Sequence, residues 1–555
     1  MKPLISFTFF IALMTVSQAQ LQTANWYFSD HLGLSFVSGS PLPLTDGQIA
    51  NEEGAATISD EAGQLLFYTD GVTVWDRNHQ VMPNGTGLMG DLSTTQPAII
   101  IPLPGTQKYY IFTVDDGFLN PSDDGINYSV VDMGLNGGLG DIVSGKKNLV
   151  LVTHASEKIT AVANAAGDGY WVVVFAPSTN SQTIPYDTTG SSMNTFYAFE
   201  VKAAGIVSSV VSPINITVSG GSGNMKFSPD GAKLAIANLP DNSAYVFNFD
   251  NSTGMVSNPV QLTLVAQYNV PYGLEFSPDG TKLYLNNRGD NATNSALMQY
   301  DLANANTMSM ISNEQNYRAG LQLALDGKIY QTHTLDYGNG TRYLHVINHP
   351  NAPASQVDFQ YNAVDLGYGK ECHQGLPNFI TSYFDCQSGA EIISTGNDTY
   401  EITTNEPFVS VTWDFGDGSQ PVSTYPDNPP DNNHTQITHA YPANLAFTMM
   451  ATIDFENDCI FEAVSEIFIN GMEEAKQNNI KIFPNPAQDI VHVYIPDIKN
   501  PSISVFDVSG NYIYQNIPVN TESETFRLNF KGKKGLYFIK ISGDKTSVVK
   551  KLWIQ

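Results

Sequence analysis

The stretch Asp70-Gly-Val-Thr-Val-Trp-Asp-Arg-Asn-His79 holds a dense set of reactive side-chain types. Asp70, Asp76, Arg77 and His79, beside Trp75 and Asn78, could supply a carboxylate pair for general acid–base work if loops converged on them. The simpler reading, a surface hairpin with an internal Asp–Arg pair, is preferred. His345 and His349 have the four-residue spacing of a zinc pair, which needs a helix. Here the segment reads as a strand ending at Pro350, which would hold the two rings about 13 Å apart. Tyr170, Trp171, Tyr197, Tyr272 and Tyr284 could stack on sugar rings, although such aromatics more often fill interfaces between sheets. No GxSxG elbow, HExxH motif or phosphate-binding Walker loop occurs. No catalytic, cofactor-binding or metal-ligating residue is therefore assigned.

The charge is uneven. Residues 473–555 carry 11 Lys/Arg against 8 Asp/Glu, and the remainder 15 against 46. An acidic body repels phosphates, so nucleic acid is not an expected partner. Solubility accounts for most of this acidity. Structural calcium in the loops of Asp115-Asp116 and Asp123-Asp124 is a second use, but neither pair has the spacing of a calcium loop. Cys372, Cys386 and Cys459 are too few and too spread for a zinc ribbon or redox motif. Either Cys386–Cys459 or Cys372–Cys386 would pair, leaving one thiol over.

What would position such residues is written twice. FSPDGAKLAIAN starts at Phe227 and FSPDGTKLYLNN at Phe276. Pro presets φ, Asp bonds the neighbouring backbone and Gly accepts a positive φ, so each copy is a hairpin around a tight turn. Strands follow at Ala244-Tyr-Val-Phe and Ala296-Leu-Met-Gln-Tyr. A third copy turns at Asp326-Gly327, and fainter copies begin near Ala56, Ala98 and Ile159. A period of 45–50 residues with three or four strands per unit predicts a β-propeller. Six internal units are present. Asn25-Trp-Tyr-Phe and Gly375-Leu-Pro-Asn-Phe-Ile, from opposite ends, would complete a seventh and remove the free sheet edges. Asp230, Gly231, Asp279, Gly280, Asp326 and Gly327 are thus expected to be turn residues rather than catalytic ones.

The texture changes after Phe384. Val411-Thr-Trp-Asp-Phe alternates as a half-buried strand and Gly-Asp-Gly turns it. Trp413, Asp414, Phe415, Gly416, Asp417 and Gly418, followed by His439 and Tyr441, resemble the polycystic-kidney-disease (PKD) domain, which implies an immunoglobulin-like sandwich acting as spacer or second contact. The polar run 471–479 reads as a linker. The last stretch reads as a small sandwich of about seven strands. Its Pro484-Asn485-Pro486, Asp507, Gly510, Gly535, Tyr537, Lys550 and Lys551 are similar to the C-terminal sorting domain of the type IX secretion system of Bacteroidetes. That resemblance implies passage through the periplasm, recognition by the secretion machinery and release or attachment at the outer surface. Lys2, an apolar run from Leu4 to Val16 and Ser17-Gln-Ala read as a secretory signal cut after Ala19. No later run is long enough for a transmembrane helix. Stretches of the propeller region, LLFYTDGVTVWDRNHQVMPNG among them, also resemble propeller regions that precede PKD and sorting domains in secreted Bacteroidetes proteins.

The expected order is signal peptide 1–19, propeller 20–384, PKD-like sandwich 385–470, linker 471–479 and sorting domain 480–555, an all-β chain. Its expected role is non-catalytic binding of a glycan or surface protein, with adhesion as the purpose. The competing expectation is a polysaccharide hydrolase or lyase using carboxylates at the mouth of the propeller channel.

Overall fold

The computed structural model describes residues 21–554 except 117–123, 190–191, 290–293, 386–389, 397, 405–406, 442–445, 456–459, 469–480, 484–489, 496–500, 508–511, 519–524, 531–534 and 543–546. The signal segment, the linker, Asp123, Cys386, Cys459, Pro484, Asn485, Pro486 and Gly510 lie outside the described residues, as does the side chain of Lys551.

Each repeat folds into its own antiparallel sheet, with strands in sequence order from the innermost outward. The inner strands of blades 1 to 6 are Ala56–Ser59, Ala98–Pro102, Ile159–Ala163, Met225–Phe227, Tyr268–Phe276 and Leu321–Leu323. These strands are almost wholly buried and mostly apolar, as covered strands are, with Lys226, Glu275 and Gln322 among the buried polar exceptions. Blade 7 takes its outer three strands, Asn25–Phe28, Leu32–Ser35 and Leu42–Leu44, from the start of the chain. Its innermost position is held by residues 374–380. Trp26 packs its ring 6.0 Å from Phe379, and the His373 N–H donates to Ser29 Oγ at 2.9 Å. Both ends of the repeat region therefore close the ring, as the sequence predicts.

Residues 374–380 do not form a regular ladder with their own blade. They bridge in parallel to Ala55 and Ala161, and Asn378 Nδ2 donates to Ala98 O at 3.3 Å and Ile159 O at 2.9 Å. One segment thus touches the inner strands of blades 1, 2 and 3. It fills the central channel, where the remaining space near Gln96, Lys226 and Gln374 is about 10 Å³. Gly375 permits this: a Cβ there would lie 2.4 Å from the Glu53 carbonyl.

Antiparallel ladders sort the loops onto two faces. Loops that lead into inner strands, and loops joining second to third strands, share the upper face. The Pro-Asp-Gly turns and the third-to-fourth connections share the lower face. Asp230 and Asp279 act as turn carboxylates. Asp230 Oδ1 accepts the Ala232 N–H at 3.0 Å, and Asp279 Oδ1 the Thr281 N–H at 2.9 Å. Gly231 and Gly280 take φ near +68° and +67°. Asp326 accepts the Tyr330 hydroxyl at 2.6 Å beside Gly327.

Contacts divide the chain into two units. One comprises Met1–Ile393, Glu401–Ile437 and Met449–Ser465; the other Ser394–Tyr400, Thr438–Thr448 and Glu466–Gln555. After the propeller come two sheets, Ala390–Gly396, Thr399–Thr404 and His434–Thr438 in one, and Val422–Thr424, Phe408–Asp414, Ala446–Phe455 and Ile460–Phe468 in the other. Trp413 and Phe415 are buried, and Trp413 Nε1 donates to Thr424 Oγ1 at 2.9 Å. Asp414 and Asp417 accept backbone N–H groups at 2.9 and 3.0 Å across a turn in which Gly416 and Gly418 have positive φ. Among the described residues the tail forms a three-stranded and a four-stranded sheet, seven strands in all. Asp507 sits opposite Tyr537, Gly535 opposite Ile554, and Ile539 opposite Lys550.

Candidate ligand site at the channel mouth

The residues just ahead of the inner strands ring the upper mouth of the channel. Glu53, Thr95, Ser222 and Arg318 each stand three positions before an inner strand, and Glu157 stands two before. Glu157 accepts from the Thr95 N–H at 3.0 Å, the Thr95 hydroxyl at 2.8 Å and the Ser222 hydroxyl at 2.6 Å. Tyr272, from the inner strand of blade 5, donates its hydroxyl to Glu53 Oε2 at 2.7 Å. Lys158, fully buried, donates to Gly221 O and to Ser222 O at 2.9 Å. Burial, then the charge of Glu157, push the Glu53 carboxyl up to about 8 despite the Tyr272 bond and nearby Arg318. Burial lowers Lys158 to about 7. Glu53 is therefore largely protonated at neutral pH. It is also only 3% exposed, beneath a filled channel.

Above this ring opens a cleft of about 360 Å³. Asp30, Asn51, Glu52, Asp91, Tyr337 and His373 line it, all from upper-face loops of blades 6, 7, 1 and 2. His373 Nδ1 lies 3.0 Å from Glu52 Oε2, and Tyr337, half exposed, meets Ser93 Oγ at 3.3 Å. Asn51 is buried with its Nδ2 on Gly54 O, and its Oδ1 has no hydrogen-bond partner. The cleft thus offers three carboxylates, an acceptor amide, an imidazole and a phenol. That set suits a ligand rich in hydroxyl groups, which carboxylates bind as acceptors and a ring covers with its face.

The sequence-derived candidates fall elsewhere. Asp70 Oδ1 accepts the N–H groups of Val72 and Thr73, and Asp76 Oδ1 those of Asn78 and Gln80, so each carboxylate stabilises its own turn. The expected Asp–Arg pair is not formed: Arg77 donates to Gly138 O at 2.7 Å, because the neighbouring blade presents a free carbonyl within its reach. His79 meets Asp46 at 3.2 Å. Trp171, Tyr197, Tyr272 and Tyr284 are buried within and between blades. Asp115 is buried and accepts the Asp124 N–H at 2.8 Å, while burial raises its carboxyl. Cys372 is a free, buried thiol, its Sγ within 3.3 Å of Tyr343 O.

The two histidines also part company. His349 pairs with Glu462 at 2.7 Å. His345 instead joins His333 on the adjacent strand and Glu314 on the outer strand of blade 5, three potential metal ligands within 4.8 Å. The proton positions do not suit a metal. The Asn362 N–H donates to His345 Nδ1 at 2.9 Å, which leaves the ring proton on Nε2, 3.0 Å from Glu314 Oε1. Metal-bound imidazoles carry their proton on the opposite nitrogen, donating it outward. Both nitrogens of His333 lie 3.2 Å from oxygen atoms, of Asn362 and Gln315.

Glu53, Glu157 and the cleft residues were missed from sequence because none sits in a motif. The one usable signal is the placement of Glu53 and Glu157 two or three positions ahead of an inner strand.

Residues 481–555 match the family described as the secretion system C-terminal sorting domain. This type IX sorting tail marks the chain as a secreted or cell-surface protein. No helix among the described residues is long and apolar enough to cross a membrane. No curated protein matches the chain. Similar solved structures include the periplasmic gluconolactonase PpgL of Pseudomonas aeruginosa (12% identity, covering 72% of this chain and 92% of that one, TM-score 0.31). Others are the Dos1 propeller (10%, 56% and 72%, 0.29) and the exo-β-1,3-galactanase of Phanerochaete chrysosporium (10%, 87% and 97%, 0.31).

Proposed function

We propose that this secreted chain is a non-catalytic carbohydrate-binding protein of the cell exterior, with the upper-face cleft of its propeller as the binding site. The sandwich after the propeller serves as spacer, in the manner of a PKD domain, and attachment to surface glycans is the purpose. The observation that carries this reading is the filled channel. The one carboxyl with a strongly raised pKa at the mouth, Glu53, is sealed under residues 374–380, whereas the reachable cleft offers hydrogen-bond acceptors and Tyr337.

Glu53 beside Glu157 is the observation that favours the second reading, a polysaccharide hydrolase or lyase, since such pairs serve as acid and base. One assay separates the two. The full chain is incubated with a panel of insoluble and soluble polysaccharides, and retention and small products are followed by mass spectrometry. Retention without products, lost in Asp91→Asn and Tyr337→Ala, is the expected result. Products that vanish in Glu53→Gln would replace binding with catalysis.

A further inference from the structure

The chain has only five arginines, Arg77, Arg288, Arg318, Arg342 and Arg527, within a net charge of −28. Two of them lie together on the upper face. Arg288 is at the end of the second strand of blade 5, and Arg318 is in the loop entering blade 6. Both guanidinium groups stack on Tyr317, at 5.4 and 5.1 Å from the ring centre, and Arg318 also lies 5.9 Å from the Tyr272 ring. Two like charges on one ring repel, and burial and Arg318 together lower the pKa of Arg288. Yet among the described residues neither guanidinium makes an ion pair or hydrogen bond, and both Nε atoms are buried without a partner.

By contrast Arg342 pairs with Asp365 at 3.1 Å. In so acidic a protein, unpaired neighbouring arginines are a costly arrangement. Arg318 adds to the cost with a left-handed backbone, φ +47°, a conformation a large side chain adopts only when held there. The carboxyl that acts on Arg318, Glu53, holds its proton at neutral pH and so does not cancel the charge. Tyr272 connects the two sites, since its hydroxyl bonds Glu53 and Glu53 adjoins Glu52 of the cleft.

We infer that Arg288 and Arg318 form an anion-binding subsite of the channel mouth, taking a carboxylate or sulfate-ester group of an acidic polysaccharide. Planar forks fixed by aromatic stacking suit the paired oxygen atoms of such groups better than a lysine would. This deepens the carbohydrate reading and rests on it for the identity of the ligand, though not for the anion site itself.

The test is calorimetric titration of the full chain with oligogalacturonate, a dextran sulfate oligomer, an uncharged dextran oligomer and sodium sulfate alone. One charged oligomer should bind at least about ten-fold tighter than dextran, and the advantage should shrink as salt rises. Arg288→Gln should erase that advantage, Arg288→Lys should retain part of it, and both should keep the wild-type melting temperature. Preference for oligogalacturonate identifies a carboxylate and preference for dextran sulfate a sulfate ester. Charged oligomers binding no better than dextran, or binding Arg288→Gln as well as wild type, would overturn the proposal. If dextran binding then persists and Asp91→Asn abolishes it, the carbohydrate reading survives alone. If sulfate binds through the arginines and no oligomer does, the anion subsite stands and the carbohydrate reading falls.

Discussion

Replacing Glu53 by Gln tests whether the channel mouth holds a buried, protonated carboxyl. In the fold, burial and Glu157 raise this group from its ordinary 4.5 to about 8. Between those two values the folded chain holds a proton that the unfolded chain has released. Folding stability from this group is therefore fully present below about pH 4.5 and is lost as pH rises towards 8 and beyond. At 1.36 kcal/mol per pH unit, the loss across that window is about 4–5 kcal/mol. Glutamine keeps the shape and an acceptor for the Tyr272 hydroxyl but cannot ionise. Glu53→Gln should thus match wild type near pH 4.5 and exceed it by up to about 4–5 kcal/mol at pH 9. With about 2 cal/mol/K of unfolding entropy per residue across the propeller, that is a melting-temperature gain of about 6 °C. Differential scanning calorimetry of both proteins from pH 4.5 to 9 reads it directly. Parallel curves for the two proteins would refute the buried-acid account, and with it the reading of Glu53 as sealed from solvent.

Three further perturbations probe the same architecture. Gly375→Ala brings a Cβ to 2.4 Å from the Glu53 backbone, so it should cost about 1–3 kcal/mol and speed proteolysis within residues 374–380. Lys226 and Glu275, 4% and 3% exposed, pair at 3.3 Å inside the channel. Lys226→Met strands the carboxylate and should cost about 3–5 kcal/mol in chemical denaturation, whereas Lys226→Met with Glu275→Gln should recover at least half of it. Burial pushes the Cys372 thiol up to about 11, so iodoacetamide at pH 8 should leave it unlabelled until denaturant is added, as read by peptide mass spectrometry.

Much of the molecule is legible in the sequence itself. Local chemistry wrote it: Pro-Asp-Gly turns need Gly231 and Gly280 at positive φ, and alternation along Val411–Phe415 buries Trp413 whatever it packs against. These features depend on residues a few positions apart, as does the order of motifs in the sorting tail. Their recurrence every 45–50 residues then requires stacked sheets, because no single blade can bury both faces.

The site belongs to the other category. Glu53, Glu157 and Tyr272 are far apart in the chain and meet only because the inner strands of successive blades start at one mouth. Arg288 and Arg318 share Tyr317 only because adjacent blades place a strand end beside an incoming loop. His345, read with His349 from spacing, turns instead to His333 and Glu314 across the strands. Nor does composition reveal that residues 374–380 occupy the channel rather than pair squarely with their blade. The repeat, the turns and the motifs of the sorting tail are local, so the sequence alone determines them. The filled channel, the cleft and the paired arginines arise from ring closure, which sets residues hundreds of positions apart within bonding distance, and only the tertiary structure decides such contacts.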